Sequence, residues 1–162
     1  MLHIKSFAFN PFSENTYIIF NENKNAFIID PGDFSEVENN ILNQFIVDNE
    51  LKVQNILLTH AHIDHVLGLQ KAFDKYKVPI LMHDLEKEIL DRNPMDAYRF
   101  GFFFKPFAGE ISYLKEDEIE KEYLNYKRLY SEYENGQLKQ DDPNNPVSPL
   151  KIARYLSDKT RK

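Results

Sequence analysis

Three of the five histidines in this chain fall within six residues, in Thr59-His60-Ala61-His62-Ile63-Asp64-His65, with a carboxylate among them. Imidazole nitrogen and carboxylate oxygen are the donors that a zinc-type ion takes. Burying three imidazoles with neither a metal nor carboxylate partners is costly, so the cluster points to metal binding. His60 and His62 alternate along an extended segment, which lets both face the same side. Asp64 and His65 follow where the chain turns into a helix. Four donors exceed what one turn aims at a single ion, and two adjacent sites that share the turn, each with ligands from elsewhere, fit the spacing better.

The flanking residues read as a platform for this turn. The apolar run Ile56-Leu57-Leu58 predicts a short buried strand over 53–58 that delivers it. Val66, Leu69, Phe73 and Tyr76 mark a helix leading out. Upstream, residues 2–9 alternate as a half-buried strand does, and 16–20 and 26–30 are rich in β-formers. The polar stretch 21–25 joins the last two as a hairpin, and Pro31-Gly32-Asp33 ends the third strand. Ser35 and Glu38 form a capping box for a helix running to about Asn49, with Val37, Ile41, Leu42, Phe45 and Ile46 on its apolar stripe. Downstream, 78–82 reads as a strand, and Asp84 as the cap of a helix carrying Leu85, Ile89 and Leu90. Residues 94–107 are aromatic and irregular. A charged helix over 115–135 carries a seam of Ile119, Tyr123, Tyr126, Tyr130 and Tyr133, a break follows at 141–146, and a short helix begins at Ser148. Three strands followed by alternating helices and strands predict an α+β or α/β sheet covered by helices on its outer face.

Composition sets the surroundings. The 162 residues suffice for a real core, with 42% apolar and 28% charged residues. A net charge of −6 without a basic stripe in the first hundred residues argues against a nucleic-acid partner. With no cysteine, disulfides, thiolate ligands and a cysteine nucleophile are excluded. No signal peptide and no membrane-length apolar run is visible, so the expected address is cytoplasmic with no membrane partner.

His60-Ala61-His62-Ile63-Asp64-His65 is an H-x-H-x-D-H signature, and on it the chain resembles the metallo-β-lactamase superfamily. Asn15-Thr16-Tyr17-Ile18-Ile19 and Phe27-Ile28-Ile29-Asp30-Pro31-Gly32-Asp33 look like that superfamily's opening hairpin and acidic turn, and Gly68 stands on the helix after the motif. The likeness is closest to hydroxyacylglutathione hydrolases of the glyoxalase II type, including the segment Tyr98-Arg99-Phe100-Gly101, and covers about residues 1–119. It implies the N-terminal half of an αββα sandwich, followed by a helical segment, 120–162, that does not match. It implies up to two zinc ions, with iron or manganese as other occupants of the same donors. His60 and His62 would hold the first metal, and Asp64 and His65 the second. Asp64 would also act in catalysis by orienting the bridging hydroxide, and Asp30 would be a carboxylate behind the ligands that steadies one of them or the loop. The implied reaction is attack of metal-activated water on a thioester or ester of small-molecule size.

The superfamily's second half supplies another metal-binding histidine, a bridging aspartate and a final histidine, whereas the last histidine here is His83. His83 reads as a recruited ligand or, more in keeping with its place after a strand, as a surface or cap residue. His3 reads as structural, Phe100 to Phe107 as core or substrate-loop packing, and the seam at 119–133 as intramolecular packing or a handle for self-association. Two outcomes follow for function. One is a competent metallohydrolase, with a second protomer or partner able to complete the site. The other is a truncated, inactive relative that serves at most as a weak metal-binding or interaction module. Half a sandwich also leaves one apolar sheet face to be covered by the C-terminal helices or a second copy of the chain.

Overall fold

The structure is a computed structural model, and it describes residues 2–114. The tyrosine helix, the 141–146 break and the helix at Ser148 lie outside the described residues.

Strand β1 (Leu2–Phe9) turns at Asn10 to Ser13 into β2 (Glu14–Asn21), which pairs antiparallel with it in unbroken register from Leu2↔Asn21 to Phe9↔Glu14. The turn closes through the Ser13 N–H on the Asn10 carbonyl at 3.1 Å, with both residues at positive φ. The hairpin expected between the second and third strands is present: β3 (Asn25–Ile29) pairs antiparallel with β2. From there the sheet changes character. Helix α1 (Glu36–Asp48) carries the chain back so that β4 (Lys52–Leu57) lies parallel to β3. A short helix α2 (Ile63–Val66) and α3 (Leu69–Tyr76) lead to β5 (Ile80–His83), parallel to β4. After a 3₁₀ turn (Asp84–Glu86) come α4 (Lys87–Arg99) and β6 (Ile111–Leu114), parallel to β5. The strand order is the sequence order, β1 to β6.

The capping box at Ser35 and Glu38 is formed as expected. Its stripe differs: Val37 and Ile41 are exposed, and Asn43 takes a buried place beside Leu42 and Ile46. The expected cap Asp84 is corrected to His83, whose Nδ1 accepts the Leu85 N–H at 3.2 Å. The irregular stretch expected from Pro94 is also corrected, because Pro94 to Arg99 continue α4. Leu90, Asn93 and Ala97 recur on its buried face, and pairs such as Arg92 with Asp96 bind across one turn, so the helix tolerates the missing proline N–H. Strand β6 has no counterpart in the sequence reading, since Ile111-Ser112-Tyr113-Leu114 is too short to show a period.

Parity along the strands divides the core. Ile18, Ile28, Ile56 and Ile80 point to the helix side, where they meet Leu42 and Ile46 of α1, Leu69 and Ala72 of α3, and Leu90 of α4. Ile19, Ile29 and Leu57 form a second buried cluster on the opposite face, flanked by Tyr17, Phe27 and Leu81. Because β3, β4 and β5 run parallel, their carboxyl ends share one edge with the β1–β2 turn. Ligands of open parallel sheets bind beyond such an edge. Among the described residues no helix is long and apolar enough to cross a membrane.

Candidate metal centre

β4 hands the chain over at Leu58, whose N–H still reaches Leu81 of β5 at 2.9 Å, and the histidine turn begins two residues on. His62 is extended (φ −63°, ψ 153°) and opens α2, the His65 N–H returning to its carbonyl at 3.0 Å. This brings the three imidazoles together: the His60 ring centroid lies 3.9 Å from that of His65 and 4.9 Å from that of His62. Asp64 Oδ2 stands 3.6 Å from His65 Nε2. The four sequence-derived residues are thus neighbours, with His60 beside both His62 and His65 and Asp64 beside His65. His62 and Asp64 stay outside the donor group that His60 and His65 form with Asp30.

Asp30 is the hub behind them. It ends β3 with φ 49°, a left-handed conformation that aspartate tolerates better than most residues. Its carboxylate accepts the Thr59 N–H at 2.7 Å and the Thr59 hydroxyl, and that hydroxyl lies 3.0 Å from His60 Nδ1. Asp30 Oδ2 is also 3.2 Å from His65 Nδ1. One carboxylate thus touches His65 directly and His60 through Thr59. Asp30, His60 and His65 offer donor atoms within 4.8 Å of one another. The Asp30 oxygens already serve Thr59, which suits Asp30 to orienting ligands rather than to being one.

Glu14 is a member of this cluster that the sequence reading missed. It is buried at the start of β2, with Oε1 unpartnered and 3.4 Å from His65 Nδ1. Burial, and then the negative charge of Asp30, push its carboxyl up to about 9. Only a glycine leaves room for it, since a Cβ on Gly32 would sit 2.2 Å from Glu14 Oε2. A glutamate opening a strand carries no sequence signal of burial; its pairing with buried Phe9 reveals it.

His60 is held below the ordinary histidine range, first by burial and then by the neighbouring His65. Crowded, neutral imidazoles are the form that binds a metal. Two donors of one tetrahedral ion, each about 2.0–2.1 Å from it, lie ~3.3 Å apart, close to the Asp64–His65 separation. The donor set fits the metal that the fold implies. His83 serves as a cap and stays outside the cluster, and His3 is exposed and stacks on Phe20 at 5.1 Å. Phe12 meets Phe100, and Phe34 meets Phe102, in a partly exposed aromatic group, whereas Phe104 and Phe107 join the core.

A mixed sheet backed by helices, with a histidine–aspartate turn at its strand ends, makes this an α+β protein with a cluster of metal-type donors at one sheet edge. The chain belongs to the metallo-beta-lactamase superfamily, whose sequence profile matches residues 9–138. It is 35% identical over 80 residues to the probable metallo-hydrolase YqgX of Bacillus subtilis, covering 49% of this chain and 36% of that protein. It is 34% identical over 101 residues to the hydroxyacylglutathione hydrolase GloC of Haemophilus influenzae, covering 62% of this chain and 46% of that protein. The chain thus spans less than half the length of these relatives. Among solved structures, the di-iron-bound form of TTHA1623 superposes with a TM-score of 0.61 at 26% identity, over 69% of this chain and 54% of that one. The BLEG-1 B3 metallo-beta-lactamase gives 0.57 at 28% identity, over 70% and 55%.

Proposed function

We propose that this chain is a metal-dependent hydrolase of a thioester or related ester, with His60, His62, Asp64 and His65 as its metal donors. The observation that carries the proposal is the clustering of these side chains as neighbours at the carboxyl edge of the sheet, with the donor atoms of His60, His65 and Asp30 within 4.8 Å of one another. Curated relatives named as hydroxyacylglutathione hydrolases support the thioester. When bound, the ion supplies Lewis acidity, which polarises a carbonyl and makes water nucleophilic near neutral pH. The chain's own residues do the rest. Asp30 and Glu14 hold the inner side of His65, Thr59 holds His60, and partly exposed Asp64 orients the attacking water. Zinc suits nitrogen and oxygen donors, and so do iron and manganese; the di-iron form of TTHA1623 supports iron.

One observation favours a second reading. Among the described residues His83 is engaged as a cap, so the turn alone offers four donors for two ions. On this reading the chain holds one ion without turnover, or a second copy completes the site. Hydrolysis of a hydroxyacyl-glutathione thioester by the metal-loaded protein separates the two. A rate well above that of the metal in buffer, lost in His62→Ala, supports the hydrolase. Metal binding without that rate supports the second reading, and no binding rejects both.

A further inference from the structure

The residue between the first two histidines is gripped on both sides. Glu86 Oε2 accepts the Ala61 N–H at 2.8 Å, and Asn93 Nδ2 donates to the Ala61 carbonyl at 2.8 Å. These two groups lie on different peptide planes. The N–H belongs to the plane joining His60 to Ala61, and the carbonyl to the plane joining Ala61 to His62. Fixing both planes fixes the backbone that joins the two histidine Cα atoms, from which the imidazoles extend, and the rings stand 4.9 Å apart and 84° inclined. The grip comes from the 3₁₀ turn and α4, an element that supplies no donor to the cluster. Asn93 is 1% exposed, and its Oδ1 has no partner, so a buried amide is kept where only its donor side is used. A buried polar side chain left half satisfied is destabilising in itself. Packing alone would be better served there by an apolar residue.

We propose that Glu86 and Asn93 are positioning residues that set the mutual orientation of His60 and His62 for metal binding. The proposal rests on the metal-centre reading above, and its test reads metal affinity rather than turnover. Zinc binding to the full chain is measured by competition with a chromophoric chelator, alongside thermal unfolding of the metal-free protein. Glu86→Ala removes the acceptor from a partly exposed side chain and is expected to weaken zinc binding about 10- to 100-fold, as loss of a group that orients a ligand does. Glu86→Gln keeps an acceptor oxygen and removes the charge, and it restores binding to within about threefold. Glu88→Ala, at an exposed position in the first turn of α4, leaves affinity unchanged. Asn93→Leu keeps the volume but removes the donor to the Ala61 carbonyl, so it weakens zinc binding to the same order as Glu86→Ala. It decides the matter if Glu86→Ala does not fold.

Wild-type affinity in Glu86→Ala or in Asn93→Leu overturns the proposal. So does equal weakening in Glu86→Ala and Glu86→Gln, which would make the effect one of charge. A wild-type chain that binds no zinc removes the metal-centre reading and this proposal together. Binding by wild type with unchanged variants removes this proposal alone.

Discussion

Asp30 accepts two hydrogen bonds from Thr59 and touches His65, all from a left-handed backbone position. Asp30→Ala leaves the Thr59 N–H and hydroxyl without their acceptor and frees His65, so we expect a loss of about 1–3 kcal/mol in the metal-free protein. Zinc affinity is expected to fall about 10- to 100-fold; chemical denaturation and chelator competition measure the two effects. Gly68 presses on the neighbouring acidic turn: its N–H donates to the Pro31 carbonyl at 2.8 Å, and a Cβ there would lie 2.0 Å from Asp33 Oδ1. Gly68→Ala should therefore cost about 1–3 kcal/mol, read as a lowered unfolding midpoint. Asp33 is fully buried, and burial raises its carboxyl above the ordinary range against the help of Asn39 and Lys71. A raised folded pKa means that the folded state binds more protons, so this contribution is complete below 3.8 and declines as pH rises through the raised value. Asp33→Asn should remove that decline, which a series of denaturation curves from mildly acidic to neutral pH would reveal.

At the scale of elements, Glu38 does more than close a capping box. Its carboxylate accepts the N–H groups of Phe34 and Ser35 at 2.9 and 2.8 Å and that of Asn10 at 2.7 Å, tying α1 to the β1–β2 turn. Asn10 in turn donates to the backbone of Gly32 and Asp64, at 3.0 and 2.9 Å. Ser35→Ala should cost about 1 kcal/mol, as caps do. Glu38→Ala should cost more and should also weaken metal binding through Asn10, and denaturation with zinc titration of both variants checks the order. The box was legible in the sequence because Ser-x-x-Glu before an apolar run has a mechanism behind it. Strands β1 to β5 and helix α1 were legible for the same kind of reason, a clear period or a strong punctuator. What escaped detection depends on tertiary context. Pro94 masked the second half of α4, although Leu90, Asn93 and Ala97 pack one face of it. The bracing by Glu86 and Asn93 joins residues 25 and 32 positions from Ala61, and no local pattern marks such a distance. The cluster of donor-type residues was legible, since four of them in six positions need only one turn to become neighbours, whereas the contact of Asp30 with His65 joins residues far apart in sequence.

Across the whole molecule, the sheet places every part of the candidate centre on one edge and buries apolar residues on both faces. The helix side is closed by α1, α3 and α4, while Ile4 and Leu2 stay exposed along β1 of the other face. The central claim is that the turn from His60 to His65 is a metal centre in a chain of the metallo-beta-lactamase superfamily. The direct measurement is zinc bound per chain at equilibrium, by dialysis followed by elemental analysis, for wild type beside His60→Ala and His65→Ala. The account predicts at least one tightly held ion in wild type, and affinity reduced by about two orders of magnitude or more in each variant, with unfolding of the metal-free proteins little changed. Wild-type protein that emerges without metal, or variants that hold it as firmly as wild type, would contradict the account.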